Sequence, residues 1–353
     1  MSHFSGSYLA DDVEFLLQVL TIPTVDVLEK ERLIQTGQKH YSQMLSEEPR
    51  PSALHQQLYQ HALSNGALRF AQAIQSLALA IAPLAITQQM CLVSFVRAGL
   101  PIAIALKRAL QRLGVSVSHY GLSIIRDKGL DSTALDDVLA RHPAESVFFV
   151  DGWTGKGAIA QELARSLLAY PQLQNRLITL ADPCGKAWLA ASADDWLIPS
   201  GVLGATVSGL VSRSVLTEQG FHGCMPCLHL ADVDVSQDFI EHIDQQLAQL
   251  PTGIAAQPWT TAQAQQLQQQ SQTVIDYFAH QYAVTNINRI KVGIAEATRA
   301  VMRRVPEKVL VRSYQDRDVA LLLYLAKQTG VEIEEAGQDL GQYRALTLIR
   351  SMR

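Results

Sequence analysis

Four apolar runs in the middle of the chain alternate with segments that carry apolar residues at helical spacing. The runs are Met90 to Val96, His119 to Ile125, Ser146 to Val150 and Arg176 to Ala181. Apolar runs of this length, bounded by polar or glycine-containing loops, predict buried strands, and the segments between them predict helices. Strands that alternate with helices favour right-handed crossovers and a parallel sheet. We therefore expect an α/β fold in which the loops behind these strands lie along one edge of the sheet.

Helical spacing also extends to both sides of these runs. Apolar residues recur at such spacing between residues 13 and 20 and again between 58 and 70, which predicts a mostly helical N-terminal segment. A glutamine-rich stretch at 260–272 runs into apolar residues up to Phe278 and predicts a bridging helix. The predicted domains are a helical N-terminal segment (1–85), an α/β domain (86–255), a bridging helix (256–285) and a C-terminal domain (286–353).

The loop behind the third run is Asp151-Gly152-Trp153-Thr154-Gly155-Lys156-Gly157. It places a carboxylate and several backbone N–H groups where a strand passes into a helix, an arrangement that holds phosphate and ribose. A P-loop is excluded, because Val150 stands at its first glycine and Gly157 at its metal-binding hydroxyl. A dinucleotide site is excluded, because its glycines follow the strand with no acid in the turn. The loop predicts a phosphoribosyl ligand, with an ordinary strand-to-helix turn as the alternative.

Charged residues follow the other three runs as well. The first run leads into Arg97-Ala98-Gly99, the second into Arg126-Asp127-Lys128-Gly129 and the fourth into Asp182-Pro183-Cys184-Gly185. Since the carboxyl ends of parallel strands meet at one edge of a sheet, these arginine, lysine and aspartate side chains should converge at one rim.

The middle of the chain resembles a type I phosphoribosyltransferase. The resemblance implies a pyrophosphate loop, a flexible loop with basic catalytic residues, and a phosphoribosyl loop with a catalytic acid. The pyrophosphate loop would contain Ser94, Arg97 and Gly99, and the flexible loop would contain Arg126 and Lys128. The phosphoribosyl loop, with its catalytic acid Asp151, would also contain Thr154, Gly155, Lys156 and Gly157. It also implies transfer from phosphoribosyl pyrophosphate to a base or nucleoside-type acceptor, with Mg²⁺ bound through the pyrophosphate. Gly152 replaces the second of two adjacent acids in that family, which keeps open a non-catalytic sensor of a phosphoribosyl metabolite that binds RNA.

A narrower resemblance covers nearly the whole chain. It rests on Ser5-Gly6-Ser7-Tyr8, His40-Tyr41-Ser42-Gln43-Met44, the loop 150–157 and Ala181-Asp182-Pro183-Cys184-Gly185. These segments resemble bacterial phosphoribosyltransferase-like proteins that carry a C-terminal Pelota-type RNA-binding domain and are encoded near tellurium-resistance and stress genes. Some members are labelled StiP and called cysteine proteases.

Cys184 gives the second functional hypothesis. Its loop follows a predicted strand, so the thiol would lie at the edge of the sheet where ligands bind. A thiolate nucleophile needs a base such as a histidine within hydrogen-bond reach, and His119 and His222 are candidates. A cysteine-protease-like hydrolase that uses Cys184 is therefore the alternative to the transferase, and a small residue packed under the loop is the structural alternative to both.

The C-terminal part has a motif and a charge of its own. Gly293-Ile294-Ala295-Glu296-Ala297-Thr298-Arg299 resembles the helix start with which Pelota-type domains meet a kinked RNA backbone. The residues that this resemblance assigns to structured RNA are Gly293, Glu296, Thr298, Arg299 and Arg303. Residues 286–353 hold 12 Lys and Arg against 8 Asp and Glu, while the rest of the chain is acidic. This asymmetry favours a polyanion partner for the C-terminal part, although a solvated helix face would also explain it.

Bulk properties limit the remaining classes. The net charge of −4 and pI of about 6.2 exclude a uniformly basic nucleic-acid binder. No apolar run reaches the roughly 20 residues of a membrane span, and the N-terminus lacks the order of a signal peptide. We therefore expect a cytoplasmic protein with no membrane partner. The four cysteines do not make a disulfide framework.

One cysteine pair has a spacing that also occurs in metal sites. Cys224-Met225-Pro226-Cys227 is flanked by His222 and His229, which together could supply four ligands to zinc. The two histidines bracket one short loop and no second cysteine pair exists, so unligated thiols are favoured over zinc. We expect no side chain of this chain to ligate a metal, since the Mg²⁺ named above would be held by the pyrophosphate.

Overall fold

The computed structural model describes residues 4–251 and 258–351, and the predicted boundary between 255 and 256 lies outside them. Within these residues the helices are α1 (Val27–Gln35), α2 (Ala53–Ile81), α3 (Gly99–Arg112), α4 (Ser132–Arg141), α5 (Ala158–Ser166), α6 (Ser236–Gln249), α7 (Thr261–Gln281), α8 (Ile294–Arg303) and α9 (Ala320–Gln328). The strands are β1 (Glu14–Phe15), β2 (Gln18–Val19), β3 (Gln89–Phe95), β4 (Ser116–Leu122), β5 (Ile124–Ile125), β6 (Gly129–Leu130), β7 (Val147–Trp153), β8 (Leu177–Ala181), β9 (Leu189–Ala190), β10 (Gly223–Cys224), β11 (Ile290–Val292), β12 (Pro306–Val311), β13 (Glu332–Glu335) and β14 (Ala345–Ile349).

The four apolar runs form the middle of a six-stranded sheet. Its order is β1-β4-β3-β7-β8-β9, and all of its strand pairs are parallel. In register, Val93 of β3 lies opposite Tyr120 of β4 and Phe149 of β7. The central strands are buried almost without interruption, as expected for a parallel sheet with helices on both faces. The predicted α/β class with a parallel sheet is confirmed.

Helices cover the two faces of this sheet. On one face α2, α3 and α6 form a common core, in which the rings of Phe70 and Phe239 meet edge to face with centroids 5.3 Å apart. On the other face α4 and α5 bury Leu135 and Leu163 completely. Burial of each such side chain contributes roughly 1.5–3 kcal/mol. The strands are thereby fixed as a rigid base for the loops at their carboxyl ends.

The first described residues depart from the predicted helix. Residues 13–20, whose apolar spacing predicted a helix, instead contain β1 and β2. The backbone N–H of Leu16 donates to the Gly121 carbonyl of β4 at 3.1 Å, and the ring of Phe15 occupies the space beside Gly121, which has no Cβ. Pairing with a partner distant in sequence overrides the local helical spacing. Further along, α1 and α2 provide the helical part that was predicted for the N-terminal segment.

One helix has the length and composition of a membrane span. The span covers residues 53–84, that is α2 and the turn that follows it. It packs against α3 and α6, and Phe70, Ile74 and Ile81 on it are fully buried. These contacts identify α2 as a core helix, and the described residues contain no clear membrane span.

The C-terminal part forms a second, smaller α/β unit. Its four-stranded sheet has the order β11-β14-β12-β13, with β12 and β13 parallel and the other two pairs antiparallel. α8 and α9 cover one face, and α7, from the predicted bridging segment, covers the other with Val274 and Phe278. The predicted small C-terminal α/β domain is confirmed.

This second unit is docked on the rim of the large sheet. The carboxylate of Asp195 accepts hydrogen bonds from the backbone N–H groups of Ile294 (2.9 Å) and Arg344 (2.8 Å). On the opposite side Glu31 of α1 pairs with Arg304, with an N–O distance of 2.8 Å. The C-terminal unit therefore covers the edge at which the predicted site residues were expected.

Candidate functional site

A cavity of about 330 Å³ lies between the rim of the large sheet and the C-terminal unit. The core contributes Arg97, Asp151 and Lys156 to its wall, and the C-terminal unit contributes Lys291 and Arg299. The predicted convergence of loops at one rim is thus present. The cavity also has a second wall, made by α8 and β11, that sequence reasoning did not foresee.

The loop from β7 to α5, residues 154–157, is enclosed by both units. Gly157 begins α5 with a φ of 76°, a conformation that favours glycine. A Cβ on Gly155 would lie 2.9 Å from the carbonyl oxygen of Val292 in β11. The hydroxyl of Tyr343 donates to the Gly155 carbonyl oxygen at 2.8 Å. The C-terminal unit therefore holds this loop in one conformation.

Asp151 lies at the carboxyl end of β7 and faces the cavity. Its carboxylate accepts a hydrogen bond from the Gly152 backbone N–H at 2.8 Å. Burial raises the pKa of Asp151 to about 7, against the opposing effects of that hydrogen bond and of the nearby Arg299 charge. The group therefore changes protonation state near neutral pH.

The three residues predicted for a pyrophosphate loop are separated in the structure. Ser94 is buried in β3, and its Oγ lies 2.8 Å from Nε2 of His119. Arg97 lines the cavity and forms an ion pair with Glu48 at 2.7 Å. Gly99 packs against the backbone of β7. Of the three, Arg97 is the one that a ligand in the cavity would meet.

Of the basic residues predicted for the rim, two contact the C-terminal unit and one is exposed to solvent outside the cavity. Arg126 lines the cavity and reaches Oδ1 of Asn288 at 3.3 Å. Lys128 is exposed and lies outside the residues that line the cavity. Lys156 donates to the Ile287 carbonyl oxygen at 2.6 Å, and burial lowers its pKa to about 7. Arg126 and Lys156 thus contact the C-terminal unit directly.

Cys184 lies behind the loop 154–157, at the carboxyl end of β8. It is 1% exposed, and a Cβ on Gly157 would lie 3.4 Å from its Sγ. Burial raises the pKa of the Cys184 thiol well above its usual range, and the charge of Asp182 acts in the same direction. In this conformation the thiol is protonated and covered.

The two histidines considered as bases make other contacts. Nε2 of His119 lies 2.8 Å from the Ser94 hydroxyl, and its Nδ1 lies 2.8 Å from the Asp12 carbonyl oxygen. Nδ1 of His222 lies 2.7 Å from the Ser123 hydroxyl. Both rings therefore join elements of the core, and among the described residues neither makes a hydrogen bond to the Cys184 thiol.

A path of hydrogen bonds leads from the Cys184 thiol to a carboxylate instead. Sγ donates to Oγ1 of Thr154 at 3.1 Å, and the Thr154 hydroxyl donates to Oδ1 of Asp182. The backbone N–H groups of Cys184 (3.2 Å) and Ala187 (2.6 Å) hold the two oxygens of that carboxylate. A proton leaving the thiol can therefore reach Asp182 through one hydroxyl group.

The residues predicted to contact RNA lie on the side of the C-terminal unit that faces the core. They are Gly293, Glu296, Thr298, Arg299 and Arg303. Gly293 approaches the Asp195 carboxylate, and Thr298 is 1% exposed. The guanidinium of Arg299 lies 4.6 Å from the centroid of the Trp153 ring. Glu296, Arg299 and Arg303 line cavities between the two units rather than an outer surface.

A second, larger cavity of about 750 Å³ lies between the N-terminal segment and α8. It shares Tyr41, Arg97 and Arg299 with the first cavity. Cys227 lies in its wall and is 2% exposed. Burial raises the pKa of Cys227 to about 11, and the charges of Arg97 and Arg303 oppose that rise. Cys227 therefore lines a cavity directly, whereas Cys184 lines neither of the two cavities.

The possible metal ligands do not form a metal site. Among residues 4–251 and 258–351, no group of three or more His, Cys, Asp or Glu is placed to hold a metal ion. His229 turns its Nε2 to the Glu48 carbonyl oxygen at 3.0 Å, and Cys224 and Cys227 are free buried thiols. The Mg²⁺ that was expected through pyrophosphate stays a prediction.

Several residues that shape the two cavities were missed by sequence reasoning. They are Lys30, Tyr41, Glu48, Arg213 and Arg304. Tyr41 stands in the motif 40–44, which carried the resemblance but suggested no role. No local pattern marks Lys30 or Glu48, because only the tertiary packing of the N-terminal segment brings them to the cavity.

Comparison with known proteins gives two family matches. Residues 6–244 match the family model described as tellurite-like stress resistance cysteine protease StiP. Residues 269–351 match the PELOTA RNA binding domain. A protein of Acinetobacter baylyi named cysteine protease StiP is 47% identical over 366 residues, which cover 99% of this chain and 95% of that protein.

Solved structures resemble a smaller part of the chain. A hypoxanthine phosphoribosyltransferase from Trypanosoma cruzi, complexed with IMP, is 15% identical over 35% of this chain and 66% of its own, with a TM-score of 0.27. An HGPRT-ase from Leishmania tarentolae, complexed with GMP, is 16% identical over 39% of this chain and 77% of its own, also with a TM-score of 0.27. These values are too low to carry an activity to this chain.

The predicted phosphoribosyltransferase activity is therefore wrong. The high-identity relative and the family model both name a cysteine protease, which was the alternative hypothesis. Nothing in the comparisons supports phosphoribosyl pyrophosphate as a partner. The rim geometry also differs from the expected transferase site, because Ser94 faces the core and Arg97 is held by Glu48. The resemblance to the StiP-labelled group with its Pelota-type domain is confirmed.

Proposed function

We propose that this protein is a cysteine-dependent peptidase with Cys184 as its nucleophile. The chain belongs to the StiP family of tellurite-like stress resistance cysteine proteases. The observation that carries this assignment is the path from the Cys184 thiol through Thr154 to Asp182. The name of the relative from Acinetobacter baylyi supports the reaction class. Cys184 is favoured over Cys227 because its thiol already has a carboxylate within reach of its proton.

The proposed reaction uses these three side chains in order. The Cys184 proton passes to Thr154 as the Thr154 proton passes to Asp182, and the thiolate attacks the carbonyl carbon of a peptide bond. Collapse of the tetrahedral intermediate breaks the C–N bond, and the leaving amine takes the proton back along the same path. A water molecule then hydrolyses the thioester and restores the thiol.

The described conformation is the closed form of such an enzyme. The thiol is covered by the loop 154–157, and the C-terminal unit holds that loop through Tyr343 and through the bond from Lys156 to the Ile287 carbonyl oxygen. A substrate reaches Cys184 only after this loop moves. We therefore infer that peptidase activity depends on how the C-terminal unit is seated.

The test compares two variants of the full chain, each of which lacks one cysteine. Wild-type protein, Cys184→Ala and Cys227→Ala are assayed for hydrolysis of unfolded casein and for labelling by an alkyne iodoacetamide, with peptides identified by mass spectrometry. We expect hydrolysis to be lost in Cys184→Ala and kept in Cys227→Ala, at similar melting temperatures. Loss in Cys227→Ala alone would move the nucleophile to the larger cavity. Full activity in both variants would end the cysteine-dependent assignment, and no hydrolysis by the wild type would end the peptidase proposal.

We further propose that the C-terminal unit binds structured RNA. The match of residues 269–351 to the PELOTA RNA binding domain supports this, as does the local excess of Lys and Arg. Since Arg299 lies between the two units, RNA would reach it through the cleft. We expect Arg299→Gln to weaken binding of a labelled stem-loop RNA in an anisotropy titration, while the exposed Arg317→Gln leaves it nearly unchanged. Equal affinity in all three proteins would remove Arg299 from the RNA site.

We also propose that the protein works in the cytoplasm. All four cysteines are free, as expected in a reducing compartment. Fractionation of cells that express the full chain would test this, with recovery in the membrane pellet as the contrary result.

A further inference from the structure

The larger cavity is surrounded by an excess of positive charge. Among the described residues, eight Lys or Arg side chains and three Glu side chains line it. They come from α1, from the loop 45–52, from the core, from β11, and from α8 with the residue that follows it. Its volume of about 750 Å³ lies in the ~300–1,000 Å³ range that is typical of ligand pockets. A cavity of this size and charge is suited to an anionic ligand.

Lys30 is the most unusual of these residues. It lies on α1 with 8% of its surface exposed, and its ammonium group makes no hydrogen bond with any described residue. Burial lowers the pKa of Lys30 to about 8, and the charges of Arg213, Arg304 and Arg303 lower it further. The side chain is largely buried, so three unused donors at its end are costly unless an acceptor enters the cavity.

Arg303 is in a similar position on α8. Its closest carboxylate is that of Glu48, at 3.9 Å, which is beyond hydrogen-bond distance. Glu48 itself is held by Arg97 (2.7 Å) and by the backbone N–H of Ala205 (2.6 Å). Burial lowers the pKa of Arg303 to about 9, and the neighbouring charge of Arg97 contributes. The guanidinium of Arg303 is therefore available to a ligand.

Two carboxylates near the cavity are already paired with arginines. Glu31 binds Arg304, and Glu48 binds Arg97. Arg213 has only carbonyl oxygens, those of Tyr41, Met44 and Ser214, as its hydrogen-bond partners among the described residues. Within the described part of the chain, Lys30, Arg213 and Arg303 are thus left without a carboxylate of their own.

We propose that the larger cavity binds a phosphate group of a nucleotide or of RNA, with Lys30 and Arg303 as its donors and Arg213 beside them. A phosphate carries up to two charges and presents three acceptor oxygens, so it satisfies an ammonium and a guanidinium at once. A single carboxylate would neutralise one of them. The two donors come from different parts of the chain, so the site exists only when the C-terminal unit is docked on α1.

The position of α8 favours a nucleic-acid or nucleotide source for the phosphate. α8 belongs to the part of the chain that matches the PELOTA RNA binding domain, and its residues line this cavity from Arg299 to Arg303. The RNA arm of this inference rests on the RNA-binding proposal above. The phosphate site itself does not depend on the RNA-binding proposal or on the role of Cys184. Its argument rests on Lys30 of α1, which belongs neither to the RNA-binding domain nor to the proposed catalytic residues.

The experiment measures binding to the full chain with two probes. Calorimetry follows ADP, and anisotropy follows a labelled stem-loop RNA prepared with and without a 5′-phosphate. We expect Lys30→Met and Arg303→Gln each to weaken binding at least about tenfold, the effect of losing one hydrogen bond between charged groups. Lys30→Arg should keep binding, and Lys39→Met, on an exposed lysine just beyond α1, should not change it.

Melting temperatures measured without ligand separate binding from folding. Since neither Lys30 nor Arg303 makes a hydrogen bond to a described residue, their variants should melt no lower than the wild type while losing ligand. A residue with a merely structural role would lower the melting temperature instead. If one variant fails to fold, the other variant and the Lys30→Arg rescue still decide the question.

Each combination of results has a distinct meaning. Binding of ADP alone, with the expected dependence on Lys30, supports the site and assigns it to a free nucleotide, while the RNA proposal fails. Binding of RNA at unchanged affinity in both variants leaves the RNA proposal standing and overturns the phosphate site. Binding of neither probe overturns both, and capture of an acidic peptide in their place overturns the phosphate site in favour of a carboxylate ligand.

Discussion

Two side chains in this protein lie in environments that disfavour their charged forms. Burial raises the pKa of the Cys184 thiol and lowers that of the Lys30 ammonium group. The sequence shows both residue types but not these states, because each depends on neighbours that are distant along the chain. Cys184 was foreseen from its place behind a strand, whereas Lys30 stands in an amphipathic helix start with no motif around it. The sequence therefore predicted the environments of individual residues in the candidate site least completely.

The hydroxyl of Thr154 is expected to be essential if Asp182 receives the thiol proton. Thr154→Val keeps the shape of the buried side chain but removes the group that joins Sγ to the carboxylate. We expect hydrolysis to fall at least about 100-fold, the lower range for loss of general-base assistance. Thr154→Ser keeps the hydroxyl and should retain most activity. Equal casein hydrolysis by the two variants would show that the proton leaves by another route.

Lys30 should make stability depend on pH in a predictable direction. Its pKa is about 8 in the folded protein, against about 10.5 in an unfolded chain. Between these values the unfolded chain holds the extra proton, so stability rises with pH, by at most about 1.4 kcal/mol per pH unit. The charged groups that face Lys30 are Arg213, Arg303, Arg304 and Glu31.

The measurement is the free energy of urea unfolding at several pH values from 7 to 10. We expect the wild type to gain stability relative to Lys30→Met as pH rises above about 8. Taking the difference between the two proteins cancels the titration of cysteines and other lysines. Lys39→Met should show a constant difference from the wild type, and the same constancy in Lys30→Met would contradict a depressed pKa.

At the scale of elements, prediction succeeded where one pattern dominates. The apolar runs of β3, β4, β7 and β8 are buried on both faces, so local composition alone marks them as strands. The glutamine-rich stretch that enters α7 carries a helical pattern over several turns. β1 and β2 were mistaken for a helix, because two-residue strands are specified by their partners in β4 and β10 rather than by their own sequence. No local sequence pattern could predict that the C-terminal unit covers the loop 154–157, because the two are distant along the chain.

Tyr343 is expected to control how often that loop opens. Its hydroxyl bonds the Gly155 carbonyl oxygen (2.8 Å) and lies 2.6 Å from Oγ of Ser271. Tyr343→Phe removes about 1 kcal/mol of support from the closed loop, which raises the open fraction about fivefold. We expect iodoacetamide to label Cys184 faster by that factor. Tyr8→Phe removes a comparable buried bond, to the Val207 carbonyl oxygen, and should lower stability without changing the labelling rate.

On the scale of the whole molecule, one docking arrangement builds both sites. The C-terminal unit covers Cys184 through the loop 154–157 and also brings Arg303 to the cavity beside Lys30. The sequence predicted two α/β units and a polyanion partner for the second. It did not predict that the residues assigned to RNA would face the core, because the relative placement of two units leaves no periodic pattern in either. Function is therefore expected to depend on the contact between the two units, which we call the joint and which includes the hydrogen bonds of Asp195 to Ile294 and Arg344.

Asp195 holds that joint at the start of α8. Its carboxylate accepts from the buried backbone N–H of Ile294 and the partly buried N–H of Arg344, and Asp195→Ala leaves both without this acceptor. We expect a loss of about 2–4 kcal/mol in unfolding free energy, together with faster hydrogen exchange in β11 and α8. Asp194→Ala removes a half-exposed ion pair with Arg69 and Arg344 and should cost at most about 1 kcal/mol.

The same pair of variants tests whether one joint governs both sites. If it does, Asp195→Ala should label Cys184 faster with iodoacetamide and bind ADP more weakly, because a loosened C-terminal unit releases the loop 154–157 and withdraws Arg303 from Lys30. Asp194→Ala should change neither rate nor affinity. A destabilised Asp195→Ala protein in which only one of the two readouts moves would mean that the thiol and the phosphate site are covered by separate motions.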